Sequence, residues 1–150
     1  MNQDEPGVAD HVIVMRHAHA QDGFEGRDFD RPLSAQGRAA ALAAAKAMHT
    51  AGHHPGPLLV SAAVRARETA DIMARELQLP QSDIHIVDVL YQAPPELLEA
   101  RIRVLARAYT LVTLIAHNPG VTDLARFLAQ QPGALPLQPA EWRYLSWPPP

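Results

Sequence analysis

Three short apolar runs, set apart by segments of helical character, restrict the fold of this chain more than any other feature. The runs cover residues 12–15, 58–60 and 111–116. The first is continuous rather than alternating, which is typical of a strand buried on both faces of a parallel sheet. With a half-exposed strand expected at 84–89 and a last strand at 142–147, the elements follow the order β-α-β-α-β-α-β-α-β. That order predicts an α/β fold of three layers, in which helices cover both faces of a mostly parallel central sheet.

The helices between these runs have recognisable ends. Ser34 is a suitable N-cap for an alanine-rich helix that Gly52 would end. Pro95 suits the first turn of a later helix, because its missing N–H is not needed there. The four helices are expected over residues 35–50, over 62–77, from Pro95 onward, and from Pro119 to about residue 130.

The composition narrows the class of protein. The chain has 150 residues, which suits one domain; we expect a flexible leader at 1–10 and a single domain at 11–150. The net charge of −3 gives no indication of a nucleic-acid or membrane partner. The absence of cysteine excludes disulfides, thiolate metal sites and cysteine nucleophiles. Since residues 1–10 do not resemble a signal peptide and no apolar run could span a bilayer, we expect a cytoplasmic protein.

Charged side chains follow each of the three apolar runs. Arg16 and His17 follow the first, Arg65 lies in the helix after the second, and His117 follows the third. Because ligands of α/β sheets bind beyond the carboxyl ends of the strands, we expect these residues to meet at one sheet edge. Arginine matches a phosphate bidentately, and neutral imidazole is a competent nucleophile near pH 7. Arg16, Arg65 and His117 would then hold a phosphoryl group, and His17 would attack it.

The same residues belong to four longer segments between about residue 11 and residue 130: VMRHAHA, FDRPLSAQGR, LLVSAAVRARETA and LIAHNPGVTDLARFL. In this order, and at these strand ends, the segments resemble the histidine phosphatase superfamily, whose fold is phosphoglycerate-mutase-like. The DRPLS and HNPG motifs resemble in particular its small SixA-like branch, the phosphohistidine phosphatases.

The resemblance implies a role for each matched residue. His17 is the nucleophile that becomes phosphorylated, and Arg16, Arg65 and His117 complete the phosphate pocket. Arg31, in the DRPLS motif, is also expected to bind the phosphate. The activity implied is that of a phosphatase that needs neither metal nor cofactor. Its substrate would be phosphohistidine on a protein or, alternatively, a small phosphate ester.

One departure from the superfamily bears on the substrate. Many members place a glutamate after the third strand, where this chain reads Val-Leu-Tyr-Gln at 89–92. An alkoxide leaves poorly without a general acid, whose loss costs about 10²–10⁴ in rate. Imidazole is a much better leaving group, so the missing acid favours phosphohistidine over sugar phosphates. The donors that could still fold over the site are Asp22, Glu25, Asp28, Glu96 and His19.

Two other interpretations of the motifs stay open on sequence alone. The His17–His19 pair or the adjacent His53 and His54 could hold a metal, although no carboxylate has ligand spacing. The domain could also be a catalytically silent phosphate-binding module. Against the first, His53 and His54 sit in a turn rich in glycine and proline, which favours a surface position.

Overall fold

The computed structural model describes residues 8–150 and contains the predicted order of strands and helices. The strands are β1 (His11–Arg16), β2 (Leu58–Ser61), β3 (Ile84–Val87), β4 (Leu111–Ala116) and β5 (Trp142–Ser146). The helices are α1 (Ala35–Thr50), α2 (Val64–Glu76), α3 (Pro95–Ala106) and α4 (Gly120–Ala129). Short 3₁₀ turns lie at Asp28–Asp30, Gln81–Asp83 and Asp88–Leu90.

The five strands form one sheet in the order β3-β2-β4-β1-β5. The first four are parallel and β5 pairs with β1 in the antiparallel direction. The carboxyl ends of β1, β2 and β4 are therefore side by side, with Arg16 opposite Ala116 and Val60 opposite Ile115.

Alternate side chains of β1 enter two separate cores, one on each face of the sheet. Val12 and Val14 pack with residues of α3 and α4, whereas Ile13 and Met15 pack with residues of α1 and α2. All four side chains are fully buried, which explains why the run is continuously apolar. The three-layer α/β/α arrangement predicted from the sequence is confirmed.

Ser34 caps α1 as predicted, since its Oγ accepts the N–H of Gly37 at 3.0 Å. Gly37 also brings the helix against the segment that follows β1. A Cβ built at this position would lie 2.0 Å from the carbonyl oxygen of His19. Only glycine allows this close approach of two backbones.

Four predicted elements are longer than those observed: α4 and β5 differ by no more than one residue at an end, and α2 and β3 differ more. Helix α2 begins at Val64 rather than at residue 62, because Ala63 has the extended conformation (φ −58°, ψ 142°). Strand β3 ends at Val87 rather than at residue 89. Its one partner, β2, stops at Ser61, which pairs with Val87, and the chain then turns into the Asp88–Leu90 3₁₀ turn.

The end of the expected leader packs against the domain. Residues 1–7 lie outside the described part of the chain. Ala9 is buried, and its N–H donates to the carbonyl of Ala106 at 2.8 Å, so the packed chain begins before residue 11. Within residues 8–150, no helix is long and apolar enough to cross a membrane.

Candidate active site

The ends of β1, β2 and β4 bring the predicted site residues into one pocket. The backbone N–H of His17 donates to the carbonyl of Ala116 at 3.0 Å, which continues the β1–β4 pairing by one residue. The rings of His17 and His117 are consequently 5.0 Å apart between centroids. The pocket has a volume of about 300 Å³, and its lining includes Arg16, His17, Arg31, Arg65 and His117. A larger cavity of about 460 Å³ lies beside α4 and contains none of these five residues.

The hydrogen bonds of His17 define its tautomer. Nδ1 lies 2.7 Å from the carbonyl oxygen of Ala18, which can only accept, so Nδ1 carries the proton. Nε2 then holds the lone pair, and the Nε–H of Arg65 points to it at 3.3 Å. Burial, together with the charges of Arg65 and Arg16 and against the bond to Ala18, lowers the pKa of His17 to about 4. His17 is therefore a neutral imidazole near pH 7.

Arg65 is held at the start of α2 with 4% of its surface exposed. Its Nη1 donates to the backbone carbonyl of Asp28 at 2.7 Å, and its Nη2 to the carboxylate of Asp28 at 2.9 Å. One turn further along α2, the Oγ1 of Thr69 donates to the Arg65 carbonyl and accepts the N–H of Ala18. Thr69 thus ties the segment after His17 to the helix that carries Arg65.

His117 is fixed from the end of β2. Its Nε2 lies 2.7 Å from the Oγ of Ser61, and that Oγ accepts the N–H of Ala63 at 3.3 Å. When the hydroxyl of Ser61 donates to Nε2, the proton of the neutral His117 ring lies on Nδ1. Nδ1 is buried with no hydrogen-bond partner among the described residues. Burial, followed by the nearby His17 and Arg65, lowers the pKa of His117 to about 3, so the ring is neutral.

Arg16 reaches the pocket from the last position of β1. Its Nη1 donates to the carbonyl of Leu137 at 3.1 Å, and the side-chain amide of Asn118 donates to the same oxygen at 3.0 Å. The Nε of Arg16 is buried without a hydrogen-bond partner in the described part of the chain. The connection between α4 and β5, which contains Leu137, thereby anchors one side of the site.

Asp28 organises the opposite side of the site, a role that the sequence analysis missed. Its carboxylate accepts from Arg65, from the Nε and Nη2 of Arg31 at 3.2 and 3.1 Å, and from the hydroxyl of Tyr91 at 2.6 Å. The hydrogen bond from Tyr91 and those from the arginines lower the pKa of Asp28 to about 2. Tyr91 stands in the stretch where a carboxylate was sought, and only the fold shows that it meets Asp28.

The side chains considered as proton donors to the leaving group differ in position. His19 and Asp22 line the pocket, with the Nε2 of His19 3.6 Å from a carboxylate oxygen of Asp22. Asp28 is at the site but ionised near pH 7. Glu25 and Glu96 are not among the residues that line the pocket.

The two histidine pairs considered for a metal differ in position, since His17 and His19 line the pocket and His53 and His54 do not. Across residues 8–150, no group of three or more His, Cys, Asp or Glu side chains is arranged to hold a metal ion. His53 is half-buried and stacks on Tyr144 at 4.2 Å between ring centroids, and His54 is exposed.

Comparison with known proteins identifies relatives in sequence and in fold. The sequence profile of the histidine phosphatase superfamily (branch 1) matches residues 12–90. The provisionally assigned phosphohistidine phosphatase SixA of Agrobacterium tumefaciens is 27% identical, with a TM-score of 0.79 over 92% of each chain. The protein histidine phosphatase SixA in complex with tungstate is 26% identical, with a TM-score of 0.74 over 87% of this chain and 82% of that one.

A curated relative is longer than this chain. An uncharacterized chloroplastic protein of Arabidopsis thaliana is 28% identical over an alignment of 131 residues that covers 81% of this chain but 60% of the relative. The fold, in contrast, matches that of the Agrobacterium SixA structure over nearly the whole of both chains.

Proposed function

Because the chain belongs to the histidine phosphatase superfamily, we propose that it is a phosphatase whose nucleophile is Nε2 of His17. In the first step, a bond forms between Nε2 and phosphorus while the bond from phosphorus to the leaving group breaks. In the second step, water attacks the phosphorus of the phosphohistidine intermediate. Inorganic phosphate is released and the lone pair of Nε2 is restored.

The tautomer of His17 is the observation that carries this proposal. The bond from Nδ1–H to Ala18 leaves Nε2 unprotonated and turned to the pocket. A pKa of about 4 keeps the ring neutral at physiological pH. It also keeps the ring neutral at mildly acidic pH, where an ordinary histidine is partly protonated. An unprotonated Nε2 beside an arginine is the arrangement needed to attack an anionic phosphoryl group.

The phosphoryl oxygens have donors on three sides in this proposal. Arg16 offers its unpartnered Nε–H, Arg65 its Nε–H, and His117 its Nδ1–H. Arg31 adds positive charge at the pocket mouth while bonded to Asp28. These cations neutralise the charge on the transferring group, so the proposed reaction proceeds without a metal or cofactor.

The proposed substrate is a phosphohistidine on a protein. The tungstate-bound relative, SixA, is named as a protein histidine phosphatase, which supports this choice. Tungstate is an oxyanion of the same shape as phosphate. When the distal nitrogen of phosphohistidine is protonated, the substrate ring departs as neutral imidazole with no proton from the enzyme. That chemistry fits a site in which the carboxylate at hand, Asp28, is ionised. A small phosphate ester is the second candidate, because His19 lines the pocket and could protonate an alkoxide.

Turnover measurements test the proposal. We expect the wild type to dephosphorylate a phosphohistidine carrier protein faster than p-nitrophenyl phosphate, and p-nitrophenyl phosphate faster than an alkyl phosphate. His17→Ala should abolish all three activities, whereas His54→Ala, an exposed histidine away from the pocket, should abolish none. Equal turnover by wild type and His17→Ala would overturn the nucleophile assignment. Binding of phosphate without turnover of any substrate would favour the silent binding module, and loss of activity with a chelator would favour a metal enzyme.

We also propose that the protein acts in the cytoplasm. The composition gives no indication of a membrane or nucleic-acid partner. Fractionation of the source cells, followed by detection of the protein, tests this placement.

A further inference from the structure

We infer that Asp28 is a positioning residue for the reaction, an inference that rests on the proposed function. Its carboxylate and its carbonyl fix one edge of the Arg65 guanidinium, so that the other edge, Nε–H, points at Nε2 of His17. Asp28 thereby sets the direction of a cation that would contact the phosphoryl group, without touching that group itself.

The contacts of Arg65 divide its guanidinium into two edges. On one edge, Nη1 and Nη2 donate to the carbonyl and the carboxylate of Asp28 at 2.7 and 2.9 Å. On the other, Nε donates to His17 at 3.3 Å. A guanidinium is planar and rigid, so holding two of its nitrogens determines where the third points. Arg65 has a long, flexible stem, and without Asp28 its Nε–H would lose this fixed direction.

Asp28 is itself fixed from two directions. Tyr91 donates to the oxygen that Arg65 uses, at 2.6 Å, and Arg31 donates to the other oxygen. Tyr91 is held in turn by an edge-to-face contact with Phe29, at 5.1 Å between ring centroids. Asp28 and Phe29 belong to one 3₁₀ turn, so Tyr91 braces that turn through both a hydrogen bond and an aromatic contact.

The same contacts argue against a proton-donor role for this pair. The carboxylate of Asp28 is ionised, because three donors favour the charged form and hold its pKa at about 2. Tyr91 directs its proton to that carboxylate, and the bond raises the pKa of the phenol above its ordinary value. A tyrosine whose proton is already donated to a carboxylate is poorly placed to protonate a leaving group.

The neighbouring Asp30 provides a matched control. It occupies the same 3₁₀ turn and pairs with an arginine, but that partner is the exposed Arg27, at 3.0 Å. Asp30→Asn therefore removes the same charge from the same turn without affecting the anchoring of Arg65.

A mutant cycle tests the inference on the intact protein with p-nitrophenyl phosphate. We expect Asp28→Asn to lower kcat by about 10- to 100-fold, since a displacement of about 1 Å in a positioned group can cost this much, while Asp30→Asn has no effect. In an Arg65→Ala background, Asp28→Asn should cause no further loss of kcat, because its effect passes through Arg65. Losses that multiply would show that Asp28 acts independently of Arg65 and would overturn the inference.

The dependence of the rate loss on the leaving group distinguishes a positioning role from proton donation. For positioning, Asp28→Asn and Tyr91→Phe should slow phenyl phosphate and p-nitrophenyl phosphate by the same factor. A loss confined to phenyl phosphate, the substrate with the poorer leaving group, would identify Tyr91 as a proton donor and contradict the inference.

The titration of His17 gives a readout that does not depend on turnover. The charge of Arg65, in its present position beside His17, lowers the pKa of His17. If Asp28→Asn releases Arg65, NMR should record a higher pKa for His17, with no change in Asp30→Asn. Loss of the Asp28 charge alone would lower that pKa or leave it unchanged, and either result would refute the positioning role. A wild type that hydrolyses no phosphate would end the proposed function, while this titration would still decide the role of Asp28.

Discussion

A change of pH from neutral to mildly acidic should leave the activity nearly intact, because His17 keeps its lone pair. The pKa of His17 is lowered to about 4, mainly by burial. At pH 5.5, about 97% of such a histidine is neutral, compared with about 9% of one with the ordinary pKa of about 6.5. The two cases differ about tenfold in the fraction of enzyme able to attack. His117 and Asp28 have pKa values of about 3 and about 2, so neither titrates in this interval.

The assay is the pH dependence of kcat/KM, which reports ionisations of the free enzyme and free substrate. The second ionisation of the substrate phosphate is measured separately by ³¹P NMR and divided out. We expect the acidic limb of the corrected profile to fall with a midpoint near the pKa of about 4 given for His17. A midpoint close to the ordinary histidine value would refute the argument that burial and the adjacent arginines keep the nucleophile neutral.

Three further predictions concern stability. The depressed pKa of His17 should lower the free energy of unfolding by up to about 3 kcal/mol as the pH falls from about 6.5 to about 4, in addition to the contribution of His117, and His17→Gln should reduce that slope in urea titrations. Stability falls with pH because the pKa of His17 is lower in the folded state, so the unfolded chain takes up the proton first. A pH slope unchanged by His17→Gln would contradict the assignment of this effect to His17. Ser34→Ala should lower the free energy of unfolding by about 1 kcal/mol through loss of the α1 cap, and Ser34→Thr should recover most of it. Gly37→Ala should lower the thermal midpoint because its Cβ would meet His19, while Gly133→Ala, whose Cβ would meet nothing within 4 Å, should not; equal midpoints would show that α1 can yield without cost.

The sequence predicts the sheet and the location of the pocket for a physical reason. Continuous apolar runs require burial on both faces, and parallel strands bring their carboxyl ends together. Once the runs are identified, Arg16, His17 and His117 must lie close to one another. The N-cap at Ser34 was also readable, because capping depends on neighbouring residues only.

Apolar runs and local capping do not predict contacts between loops that are distant along the chain. Asp28 and Tyr91 are 63 residues apart, and neither belongs to a periodic pattern, so nothing local indicates that they meet. The resemblance predicts a general-acid glutamate after β3, where the chain has Tyr91 instead. The carboxylate comes from the loop before α1, and its three donors make it an anchor for Arg65 rather than an acid.

The boundaries of β3 and α2 depend equally on tertiary context. β3 ends where β2 ends, which the composition of β3 alone does not reveal. The later start of α2 follows from Ala63, whose N–H bonds to Ser61 in the turn that also orients His117.

Attack by Nε2 of His17 is tested most directly by trapping the phosphorylated intermediate. The protein is mixed with a ³²P-labelled phosphohistidine carrier protein, quenched in alkali during the first turnover, digested and mapped by mass spectrometry. We predict an alkali-stable, acid-labile phosphoryl group on Nε2 of His17, absent from His17→Ala. Nδ1 should carry none, because it is bonded to the carbonyl of Ala18. Turnover with the phosphoryl group on another residue, or with no phosphorylated protein during the first turnover, would contradict the account.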